Sequence, residues 1–187
     1  MKVYHLALLG CAFAASACQR DTGSDEMVAN DLNADMAVDN ATENMTAVAA
    51  TDVDAAFVTE AMKGDNGEVA IGTLAATQAT SQAAKDFGQM LAADHGGHKE
   101  KLTSLALGAG LPATDELSDE GQKNLDKLKT LQGVEFDKEF KRMMVEDHDK
   151  DIAKYEKQAS SGDAQTSALA KETLPTLRKH LETARAL

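Results

Sequence analysis

The body of the chain carries four histidines, His95, His98, His148 and His180, and two of them directly follow an aspartate, in Asp94-His95 and Asp147-His148. A neutral imidazole offers one lone pair to a transition metal, and a carboxylate behind it fixes which nitrogen stays free. Both Asp-His pairs close the same pattern, F-x-x-M-[LM]-x-x-D-H. Phe87-Gly88-Gln89-Met90-Leu91-Ala92-Ala93-Asp94-His95 is matched without a gap by Phe140-Lys141-Arg142-Met143-Met144-Val145-Glu146-Asp147-His148. Each copy reaches an apolar residue seven positions on, Leu102 and Tyr155. A repeat of this kind predicts two related helices that face one another.

Helical spacing sets what these groups can reach. On the helix around the first copy, positions 87, 91, 94, 98, 102 and 105 trace one side, which sends Asp94 and His98 inward and leaves His95 flanking. On the second, 140, 144, 147, 151 and 155 send Asp147 and Asp151 inward, with His148 flanking. His180 follows Leu177 by three and falls in an apolar stripe, and Glu68 lies at similar depth between Met62 and Leu74. Burying such groups costs several kcal/mol per ion unless they are paired or metal-bound. One outcome is a metal site with one ligand per helix, Glu68, His95, His148 and His180, and with Asp94 and Asp147 behind the imidazoles. Zinc, iron, manganese or copper suits such donors. The other outcome is structural, the histidines and acids bonding between helices with no specific ligand, and the sequence alone favours it. A two-metal carboxylate centre needs Glu-x-x-His on two helices. Ala92, Val145 and Leu177 stand at that offset before His95, His148 and His180, and only His98 has a ligand type there, His95.

The elements that position these residues are all helical. Ala, Leu, Lys, Glu and Gln dominate the body, and strand signals are absent. Four long helices are expected, over about 54–79, 81–109, 134–161 and 164–186, with Gly64 and Gly67 inviting a break in the first. A shorter connecting helix begins at Thr114-Asp115-Glu116-Leu117 and stops at Gly133. Pro175 predicts a kink or a fresh start in the last helix. Two long helices, a bridge and two more make a four-helix bundle with one longer crossover, the topology of ferritin-like folds.

Residues 1–17 read as a secretory signal: a short positive start, an apolar run from Leu6 to Ala15, and small residues up to Ala17. Cys18 then resembles the lipidated first residue of a bacterial lipoprotein, with ordinary cleavage after Ala17 as the alternative. Gln19 in place of Asp favours the outer membrane. Residues 19–52 are rich in Asp, Asn, Ala and Thr, with Arg20 the one base and no aromatic residue. They read as a disordered, self-repelling tether. Residues 53–187 form the helical domain. Both cysteines, Cys11 and Cys18, lie in the leader, so the domain has no disulfide and no thiolate metal site. The net charge of −12 disfavours nucleic acid and anionic lipid heads, so membrane attachment falls to the acyl anchor. Protein partners are unspecified, with a homo-oligomer among the options.

The segments Phe57-Val58-x-x-Ala61, Glu68-Val69-x-Ile71-Gly72-x-Leu74-Ala75, Lys85-x-Phe87-x-x-Met90-x-x-x-Asp94-His95, Phe136-Asp137, Asp147-His148 and Leu174-Pro175-x-Leu177-x-x-His180-Leu181 resemble exported bacterial proteins grouped as domain of unknown function 4142. Members are often labelled outer membrane proteins. The resemblance implies a ferritin-like fold and brings no established activity. By position, Glu68, Asp94, His95, Asp147, His148 and His180 match the family's recurring polar residues. The sequence therefore reads as a non-enzymatic cell-envelope protein acting in binding or stress protection. The alternative is a metal-binding or metal-dependent ferritin-like protein using the bundle's polar core.

Overall fold

A computed structural model describes residues 53–160 and 163–187. Within them the chain forms five helices and no strand: α1 (Ala55–Gln78), α2 (Gln82–Gly108), α3 (Asp119–Lys129), α4 (Gly133–Ala159) and α5 (Ala164–Ala186). The leader, Cys18 and the whole of the tether lie outside the described residues. No described helix is long and apolar enough to cross a membrane.

Short polar side chains start most of the helices. Asp54, Ser81 and Ser118 each accept from the backbone amide three residues on, and Asp163 accepts from the amides of Gln165 and Thr166. Such caps satisfy amides that have no partner within the helix. The cap of α2 is reinforced from α4, where Asp137 accepts from the amides of Thr80 at 2.8 Å and Ser81 at 2.9 Å. Gly110, at φ 72°, turns the chain out of α2 in the left-handed conformation that glycine tolerates best.

Two sequence expectations are corrected, and of the two alternatives at Pro175 one is excluded. Gly64 and Gly67 do not break α1, which runs unbroken to Gln78; its inner face packs against α2 and α3, and tertiary contact outweighs the glycines' poor propensity. The connecting helix starts at Asp119 rather than Thr114, because Ser118 is the cap and the carbonyls of Thr114 and Glu116 are taken by the Asn66 side chain. Pro175 sits inside a continuous α5, so the helix does not restart there.

α1 packs along α2, α4 along α5, α2 also borders α5 and α1 borders α4. The closest approach is between α1 and α2. A Cβ built on Gly72 would lie 2.6 Å from the Gly88 carbonyl oxygen, and one on Gly88 would lie 2.6 Å from that of Gly72. Only glycine at both positions lets the two backbones touch.

The interior divides along the bundle axis. One apolar cluster gathers Ile71, Ala75, Phe87, Leu91, Phe140 and Met144, with Phe136 and Leu128. The other gathers Phe57, Val58, Met62, Leu102, Tyr155 and Leu177. From the residues each helix gives to the two clusters, α1 and α5 run one way and α2 and α4 the other. The long connection from Ala109 to Gln132, carrying α3, returns the chain to the end from which α4 starts. Between the clusters, at one depth, stand Asp65 and Glu68 of α1, His95 and His98 of α2, His148 of α4 and His180 of α5, all buried.

Candidate metal centre

The repeated pattern meets itself across the bundle. The rings of Phe87 and Phe140 lie 5.8 Å apart, and those of His95 and His148 lie 5.7 Å apart. His180 joins from α5, with ring centres 5.3 Å from both His95 and His148. One ring nitrogen from each of the three histidines falls within 4.8 Å of the others.

The partners of the remaining nitrogens fix the tautomers. Nδ1 of His148 lies 2.9 Å from the Met144 carbonyl oxygen, which only accepts, so Nδ1 carries the proton. Nε2 of His180 lies 2.9 Å from Asp94 Oδ2, and Nδ1 of His95 lies 2.9 Å from Asp65 Oδ1; each donates to its carboxylate. In the neutral rings the free nitrogens are then His148 Nε2, His180 Nδ1 and His95 Nε2. All three turn lone pairs to their surroundings. The first two stand 3.3 Å apart with no proton between them, and the third has no partner. Two lone pairs at that separation repel. Two imidazole nitrogens held by one tetrahedral ion at ~2.05 Å also stand ~3.3 Å apart.

Burial keeps this arrangement basic. His148 and His180 are 0% exposed and His95 5%. Desolvation, reinforced by the neighbouring His95 and His180, pushes the His148 pKa down to about 3, so the ring stays neutral. Desolvation also lowers His180, against the pull of Asp94. His95 goes the other way. Burial disfavours its charge, but its hydrogen bond to Asp65 and the nearby carboxyl groups of Glu68, Asp65 and Asp151 outweigh that and raise it.

Glu68 is the fourth group. It is 6% exposed, its Oε2 has no hydrogen-bond partner, and it stands outside the converging set of three nitrogens. Burial pushes its pKa up to about 8; the charge of His95 works against this, while Asp147, Asp151 and Asp65 add to it. A carboxyl held neutral this way is ready to ionise if a cation arrives.

The helical phase of the repeat differs from the sequence reading by one residue. His95 and His148 are buried, while the Asp94 side chain is 40% exposed and Asp147 is half-buried. The stripes run through 87, 91, 95, 98 and 102 and through 140, 144, 148 and 155, taking a step of four where the sequence reading took three. Asp94 still stands behind an imidazole, that of His180 on α5. Asp147 does not; it accepts from Asn124 Nδ2 at 3.0 Å. The carboxylate that sequence reasoning missed is Asp65. It bridges His95 Nδ1 at 2.9 Å and His98 Nδ1 at 2.8 Å. Burial raises the Asp65 pKa, and its two imidazole partners more than reverse this. His98 packs against Tyr155 and stays outside the three-nitrogen cluster, with its Nε2 unpartnered.

Residues 39–187 match the family described as a domain of unknown function, DUF4142. The chain belongs to this family. No curated protein and no solved structure matches it. In this DUF4142 member the described polar layer brings three imidazole nitrogens together, with ring orientations that Asp65, Asp94 and the Met144 carbonyl fix.

Proposed function

We propose that this DUF4142 domain binds one divalent transition-metal ion on His95, His148 and His180, with Glu68 closing the site, and that it does so as a cell-envelope protein. The observation that carries the reading is the convergence of three imidazole nitrogens, two of them 3.3 Å apart. Imidazole donors suit zinc, copper, iron and nickel better than the hard alkaline-earth ions. The single long crossover is the connectivity of ferritin-like bundles, which build metal sites from facing helices. The role is capture and retention of the ion. The leader motif and Cys18 support attachment by an acyl anchor.

Metal analysis of the purified protein after loading with Zn2+ tests the reading. One equivalent is expected, lost in the His148→Ala, His180→Ala double variant. Retention of the full equivalent in that variant would assign the histidines to the structural role. Labelling cells with a radioactive fatty acid tests the anchor, with label expected on the native chain and none on Cys18→Ala.

A further inference from the structure

We infer that the ion reaches the three histidines from the α1/α4 face, through a cavity whose inner wall is Glu68 and whose mouth is guarded by Lys154. The inference rests on the metal reading above and adds the route.

A cavity of about 280 Å³ opens between α1, α3 and α4, and Glu68, Asp147 and Asp151 line it. Glu68 is buried and its Oε2 is unpartnered, so the cavity presents a bare acceptor at its inner end. A second, much smaller cavity of about 20 Å³ touches His95 and Asp65, room for roughly one water. The two share Glu60, Gly64, Asp151 and Lys154, so they adjoin. One side of the shared wall leads to solvent and the other to an imidazole of the centre.

Lys154 spans this wall. Its ammonium lies 2.7 Å from Glu60 Oε1 and 3.6 Å from Asp151 Oδ1. An incoming divalent cation is drawn by the carboxylates and opposed by the ammonium groups of Lys150 and Lys154, of which Lys154 stands at the shared wall and must swing aside. On the opposite side, a cavity of about 290 Å³ is lined by Asp94, Gly97, His98 and Glu172. It does not offer the same route. There the carboxylate of Asp94 covers Nε2 of His180, the protonated nitrogen, and the lone pair on Nδ1 faces inward.

Two glycines make the test symmetric. A Cβ on Gly64 or on Gly97 meets nothing within 4 Å; Gly64 lines the two adjoining cavities and Gly97 the opposite one. Metal-free protein is mixed with Co2+ in a stopped-flow instrument, the visible absorption of the bound ion is followed, and affinity is measured separately at equilibrium. Gly64→Leu is expected to slow both loading and release by about tenfold, because entry then waits on local opening, with affinity unchanged. Gly97→Leu is expected to load like the native chain. Lys154→Gln is expected to load roughly severalfold faster. Unfolding midpoints of the three variants confirm that each folds. Slowing in Gly97→Leu, or none in Gly64→Leu, overturns the route. No change or a slowing in Lys154→Gln overturns the guard. If the native chain binds no Co2+ or Zn2+, the metal reading itself fails, and the route fails with it.

Discussion

The two apolar ends of the bundle and the ionisable layer between them follow opposite rules. At the ends, Phe87, Phe136 and Phe140 on one side and Val58, Met62 and Leu102 on the other are almost wholly removed from water. Their contribution is hydrophobic and needs no partner. In the middle, the buried groups are polar and need hydrogen-bond partners. Among the described residues the three buried side-chain atoms without one, Glu68 Oε2, His95 Nε2 and His98 Nε2, all fall in that layer. The ends hold the fold together whatever is bound.

The contrast breaks first where the effect is largest. Phe140→Ala should cost about 3–5 kcal/mol in chemical denaturation, by lost burial and a residual cavity. The cost should be the same with and without Zn2+; a cost that depends on the ion would mean that the apolar ends are not independent of the layer.

Glu68→Gln should act the other way in the metal-free protein. The folded state holds the Glu68 proton up to about pH 8, whereas an unfolded carboxyl releases it near its ordinary pKa. Between those values the folded state binds more protons, so stability falls as pH rises. His148 contributes the opposite slope, but only below about pH 6.5, because its folded pKa is depressed to about 3. His95, raised in the folded state, adds to the loss above pH 6.5. The native chain should therefore lose stability between pH 6.5 and 8, and Glu68→Gln should flatten most of that slope. At pH 8 the variant should be the more stable by roughly 3–5 kcal/mol. A variant that tracks the native curve would remove Glu68 from the account. Metal affinity should rise over the same pH interval, by up to about tenfold per pH unit for each proton displaced.

Gly88→Ala sharpens the role of the scaffold. The added methyl meets the Gly72 carbonyl at 2.6 Å, so α1 and α2 must separate. A loss of about 1–3 kcal/mol is expected, with weaker metal binding because α1 carries Glu68 and Asp65. Arg142→Ala is the smallest case. Arg142 pairs with Glu139 and Glu146 at the exposed surface, and neither the denaturation midpoint nor metal affinity should move measurably.

The fold was largely legible in the chain because helix periodicity and the Phe-to-His repeat report directly on packing. The depth of the layer was legible too, since equivalent positions of a repeat fall at equivalent depths. What failed was phase. A helix advances 3.6 residues per turn, so Leu91 can be followed on its stripe by residue 94 or 95, and the acid's proximity to its histidine made both plausible. Asp65 escaped for a related reason. It sits in Lys63-Gly64-Asp65-Asn66-Gly67-Glu68, a run that reads as a solvent break. The signal that could have found it is the spacing of Val58, Ala61 and Met62, which continues to Asp65, Glu68 and Gly72 in steps of three and four. Asp147 was misplaced because its neighbour Asn124 lies on α3, and nothing in sequence spacing shows where a crossover helix docks.

The central claim is that three imidazole lone pairs are held together for a cation. Isothermal titration of the metal-free protein with Zn2+, beside the His148→Ala, His180→Ala variant, tests it most directly. The account predicts one site per chain in the native protein, with release of protons on binding, and none in the variant. Equal binding by both proteins, or no binding by the native chain at neutral pH, would contradict it.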